Sequence, residues 1–138
     1  MLDYQQSWPM PKNPIPILIF GAGSIVSDAH LPAYKLSNLP VIGIYDPDYE
    51  KAKKLGQSYG LKVFKEAAQA AAQKNVIFDL AIPPSAHPKV IDILPKNSAV
   101  ILQKPLGSNL NEASKILNLC RQRSLKACVN FQLRFAPM

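Results

Sequence analysis

The chain is poor in the residues that dedicated metal and disulfide chemistry require. Among its 138 residues there are two cysteines and two histidines. The cysteines, Cys120 and Cys128, form no Cys-x-x-Cys pair, and the histidines lie far apart, so no metal site is expected. Both thiols are expected to be buried and reduced. No Gly-Lys-Ser/Thr phosphate loop, His-Glu-x-x-His or Gly-x-Ser-x-Gly occurs. Apolar runs are short and broken by Pro or Gly, well below the ~18 residues of a membrane span. The N-terminus has neither a basic nor an apolar signal segment, which points to a cytoplasmic protein with no membrane partner. Acidic residues are scarce, nine against sixteen basic, for a net charge of +7. The lysines are scattered, and Lys51, Lys53 and Lys54 stand beside Asp48 and Glu50, which reads as a solvated helix face. No aromatic residues interleave with a basic stripe, so no nucleic-acid partner is expected.

What is present alternates. Residues 1–14 read as a Pro-rich tail. Apolar strands are predicted over 15–20, 41–45, 61–64, 76–82, 99–102 and 125–129. Helices are predicted between them, over 24–36 with a break at Pro32, then 48–59 stopped by Gly60, 66–73, 85–94 and 109–123. The last opens with Asn109 and Glu112 in a capping-box pattern. This alternation predicts a doubly wound α/β domain over 15–130, with six parallel strands in the order 3-2-1-4-5-6.

The sharpest motif is Gly21-Ala22-Gly23-Ser24-Ile25-Val26, between the first strand and the first helix. Gly21 permits a tight turn, and Gly23 lets a diphosphate approach the backbone. The helix N-terminus adds free N–H groups and a positive dipole end. Val26 stands where a third glycine is usual, so helix–strand packing has to be solved differently. About 20 residues on, Asp46 ends the second strand, placed to accept from the adenosine ribose. That carboxylate favours NAD. Lys51 nearby keeps NADP open. Asp46-Pro47 also has the form of a helix N-cap followed by Pro. Two later clusters fall at the carboxyl edge of the sheet, where ligands bind in such folds: Pro83-Pro84-Ser85-Ala86-His87 and Gln103-Lys104-Pro105. A partly desolvated lysine there suits proton transfer.

Taken with His30-Leu31-Pro32-Ala33 and Phe131-Gln132-Leu133-Arg134-Phe135-Ala136-Pro137, these stretches resemble the Gfo/Idh/MocA family, which includes glucose–fructose oxidoreductase and inositol dehydrogenase. The resemblance implies a Rossmann cofactor domain of an enzyme that moves hydride between NAD(P) and a sugar or polyol CH–OH carbon. It implies cofactor contacts at Gly21, Ala22, Gly23, Ser24, Ile25, Asp46, Pro83, Pro84, His87, Gln103, Lys104, Gln132 and Arg134. Lys104 looks like the family's substrate-contacting, proton-transferring lysine. Gln103 replaces the usual Glu, an amide that can still bond a ribose hydroxyl. His87 looks like the histidine near the nicotinamide ribose. The family adds a C-terminal substrate domain, commonly the oligomer contact, which is absent here. Residues 131–138 read as the start of the link to it, and this domain alone is expected to be a poor catalyst. The competing expectation is a non-catalytic NAD-sensing or regulatory module.

Overall fold

The computed structural model describes residues 9–132. Six parallel strands form one sheet in the order β3-β2-β1-β4-β5-β6, as the alternation predicts. They are β1 (Ile17–Phe20), β2 (Val41–Tyr45), β3 (Lys62–Phe64), β4 (Ile77–Leu80), β5 (Ala99–Leu102) and β6 (Lys126–Val129). The helices are α1 (Leu31–Leu36), α2 (Tyr49–Tyr59), α3 (Ala67–Ala71), α4 (His87–Ile93) and α5 (Leu110–Gln122).

Strand β1 is buried throughout because helices cover both of its faces. Leu18 and Phe20 join Phe78, Leu80, Val100 and Leu102 in a core closed by α3, α4 and α5. Ile17 and Ile19 pack on the other face with Val26, Leu31, Ile44 and Ala52.

Several boundaries differ from the sequence reading. Strand β1 begins at Ile17 instead of residue 15; Pro16 has no N–H for the ladder, although its carbonyl accepts from Ile77 N at 2.8 Å. The first helix opens as a π-helical segment, Val26–His30, and continues as α1 with Pro32 in its first turn. Val26, where a third glycine is usual, is fully buried against Ile17, Ile19 and Ile44. A short 3₁₀ turn, Pro84–Ala86, precedes α4. Helix α2 is capped by the Asp48 side chain, which accepts from Lys51 N, so the N-cap expected at Asp46 lies two residues later. Half of the capping box of α5 forms as expected, with Asn109 Oδ1 accepting from Glu112 N at 2.9 Å; Glu112 Oε2 reaches back one residue further and accepts from Ser108 N at 2.6 Å. Cys120 is buried, but Cys128 is exposed, because it lies on edge strand β6, which pairs only with β5.

Candidate functional site

The glycine turn lies at the carboxyl end of β1, in the middle of the sheet. Gly21 has φ +112°, and a Cβ there would sit 2.2 Å from the Ala81 carbonyl oxygen. The fold itself therefore demands glycine at this position. Gly23 is different. A Cβ on it would meet nothing within 4 Å, and its φ lies outside the left-handed region. Nothing in the chain requires a glycine there, and the space its missing side chain leaves opens to the outside.

The turn is braced from the neighbouring strand. Gly21 N donates to Tyr45 O, and Ala22 N donates to Asp46 Oδ2, both at 2.7 Å. Asp46 Oδ1 accepts from Asp48 N at 2.8 Å. The carboxylate keeps lone pairs on both oxygens for further donors. Beside it a groove of about 430 Å³ is lined by Gly23, Ser24, Ser27, Lys51 and Lys54. Lys51 is 3.4 Å from the Asp48 carboxylate.

A second cleft, about 450 Å³, continues from Gly23, Ser24 and Ile25 across the ends of β4 and β5. Pro83 and Pro84 form part of its wall, and Gln103, Lys104 and Gln132 line its other end. The structure therefore gathers most of the sequence candidates along one edge of the sheet. Lys104 lines the cleft as an exposed side chain. Two candidates behave otherwise. His87 is fully buried at the start of α4 and does not line the cleft. Burial lowers its pKa, while the backbone at Leu80 and Leu106 and the Glu112 charge favour the charged form more weakly. Neither of its ring nitrogens reaches full hydrogen-bond geometry. Arg134 lies outside the described residues.

The sequence reading gave no role to a buried polar cluster behind the cleft. Asp79, fully buried in β4, lies 2.6 Å from His30 Nδ1 and accepts from Tyr34 Oη at 2.9 Å. Burial, then the Asp79 charge, raises the Tyr34 pKa far above its ordinary value. The signal was available: a lone carboxylate inside the apolar run Val76-Ile77-Phe78-Asp79-Leu80 requires a buried partner. Among the described residues no His/Cys/Asp/Glu group is arranged to hold a metal, and no helix is long and apolar enough to cross a membrane.

Residues 15–131 match the family described as an oxidoreductase family with an NAD-binding Rossmann fold. The chain belongs to the Gfo/Idh/MocA family. A curated relative, glucose-6-phosphate 3-dehydrogenase of Bacillus subtilis, is 28% identical over 120 residues, covering 85% of this chain and 33% of the relative. Among solved structures, the dehydrogenase MviM of Clostridium difficile superposes with TM-score 0.76 at 28% identity, covering 90% of this chain and 41% of its own. A single-residue mutant of KijD10, a 3-ketoreductase from Actinomadura kijaniata in complex with TDP-benzene and NADP, gives TM-score 0.76 at 25% identity over 91% of this chain and 41% of its own. This Gfo/Idh/MocA chain thus corresponds to the cofactor-binding Rossmann part of its relatives and spans about two fifths or less of their length.

The residues present fit a dinucleotide. Gly23 lines both clefts without a side chain, and a Cβ there would project into open space. The helix that follows opens with N–H groups lacking intrahelical acceptors.

Proposed function

We propose that this chain is the cofactor-binding part of a nicotinamide-dependent oxidoreductase acting on a sugar, polyol or related CH–OH substrate. The observation that carries this reading is Gly23: the fold does not need its missing Cβ, and a diphosphate does. A bound nicotinamide dinucleotide would supply the hydride acceptor and donor.

The chain's own residues do the rest. Gly21 N and Ala22 N are spent on Tyr45 and Asp46, so the diphosphate is met by the backbone N–H groups that follow, from Gly23 to Ile25. Asp46 accepts from the adenosine ribose hydroxyls, which favours NAD over NADP, since its charge repels a 2′-phosphate. Lys51 and Lys54 line the groove beside the glycine turn and moderate that preference. Pro83 and Pro84 hold a stiff wall against the middle of the ligand. Gln103, Lys104 and Gln132 face the far end, and Lys104 in its neutral form takes the substrate hydroxyl proton; the family resemblance adds Arg134 as a cofactor contact. His87 is fully buried, so its role is structural packing at the start of α4.

Isothermal titration with NAD, NADH, NADP and NADPH tests this reading. Saturable binding of NAD or NADH, weakened in Asp46→Ala, is the expected result. Failure of all four to bind overturns it.

A further inference from the structure

Behind the cleft, four side chains from four segments form one hydrogen-bonded line: Tyr34 in α1, Asp79 in β4, His30 at the end of the π-helical segment, and Gln103 after β5. Gln103 Nε2 lies 2.9 Å from His30 Nε2. The relative exposures of His30, Asp79 and Gln103 are 6%, 0% and 8%, so water does not substitute for these contacts. Cys128 on β6 is the remaining titratable neighbour of the cluster.

Donor counting fixes the ring. A carboxylate only accepts, so His30 Nδ1 carries the hydrogen that faces Asp79. An amide nitrogen only donates, so His30 Nε2 carries none. The neutral Nδ1–H tautomer meets both conditions. Reversing the amide would set its oxygen against Nε2 and give a cationic ring paired with the Asp79 carboxylate; the structure instead places the amide nitrogen there. With Nε2 committed inward, the oxygen of Gln103 is the amide group left for the cleft it lines.

We propose that Gln103 is a positioning residue: it fixes His30 as the neutral Nδ1–H tautomer, and His30 in turn orients the amide so that the cleft is offered a hydrogen-bond acceptor for a ligand hydroxyl. The second half rests on the cofactor reading above; the first half does not.

An ionised carboxylate at position 103 cannot donate, so in Gln103→Glu with that carboxyl ionised the ring gains a proton on Nε2 and becomes cationic between two carboxylates. The two histidine rings of the ¹⁵N-histidine-labelled chain are resolved by long-range ¹H–¹⁵N correlation at pH 7 and assigned with His30→Asn or His87→Asn. The unaltered chain is expected to show His30 protonated at Nδ1 alone, and Gln103→Glu to show it protonated at both nitrogens. A cationic or Nε2–H ring in the unaltered chain overturns the proposal, as does an unchanged ring in a folded Gln103→Glu chain whose new carboxyl is shown to be ionised by its ¹³C shift. If that variant does not fold, the spectrum of the unaltered chain still decides the tautomer. Gln103→Leu, which keeps the bulk and removes the amide, should weaken cofactor binding about tenfold, the effect of about one lost hydrogen bond. Undiminished binding overturns the second half. Absence of cofactor binding by the unaltered chain would instead overturn the proposed function and leave the tautomer result standing.

Discussion

The Asp46 carboxylate at the end of β2 accepts a hydrogen bond from Ala22 N at 2.7 Å, tying the second strand to the glycine turn of the first. This contact holds the turn in shape while leaving acceptor capacity on the same carboxylate. Asp46→Ala should therefore have two effects. Cofactor affinity should fall ten- to a hundredfold, the equivalent of about 1.5–3 kcal/mol for hydrogen bonds to a charged group. Stability should fall by about 1 kcal/mol, because a bond within the turn is lost. Calorimetric titration and urea unfolding measure the two separately. Unchanged affinity would show that the carboxylate only braces the turn.

The two turn glycines should separate folding from binding. Gly23→Ala should fold with stability equal to the parent, or up to ~1 kcal/mol higher, since the unfolded chain loses freedom and the folded chain has open space. It should nevertheless bind cofactor poorly. Gly21→Ala should be strongly destabilised, as its Cβ would overlap the Ala81 carbonyl at a left-handed φ. Urea midpoints with cofactor titration check both, and a Gly23→Ala chain that binds normally would count against the diphosphate cradle.

Buried His87 gives stability a dependence on acid. Burial holds its folded pKa below the ordinary 6.5. Above that pH the ring is neutral whether folded or unfolded, and stability is unaffected. As pH drops below about 6.5 the unfolded chain takes up the proton first, so stability falls until the folded pKa is reached. In His87→Leu this component should disappear. Denaturant unfolding at pH 7.5 and pH 5 checks it, and parallel pH profiles for the two chains would exclude His87 as the cause.

Helix α5 should be sensitive to its cap. Asn109→Ala removes the acceptor for Glu112 N and should destabilise the chain by about 1 kcal/mol. Cofactor affinity should not change, since Asn109 does not line the cleft. A loss of affinity at constant stability would contradict this assignment.

Much of the fold was legible because the pattern that encodes it is local. Buried parallel strands are short apolar runs, and runs such as Val41–Tyr45 and Ala99–Leu102 needed no tertiary context. Boundaries were less legible where one residue carries two signals. Asp46-Pro47 has the form of a cap, yet Asp46 turns back to Ala22 and leaves capping to Asp48. A neighbour 24 residues away decided that choice. The tail before Pro9, and Arg134, fall outside the described residues, and the sequence expectation stands alone for them.

The sequence by itself determined the layered α/β order, the turn between β1 and the first helix, and the cluster of candidates at the carboxyl edge, because periodicity and glycine spacing act over a few residues. Tertiary structure decided which of those candidates face the cleft. It buried His87 beneath α4, left Lys104 exposed, and joined His30, Asp79 and Gln103 across 73 residues of chain. Burial and hydrogen-bond partnership depend on which strands lie side by side in space, and residue spacing along the chain does not carry that information.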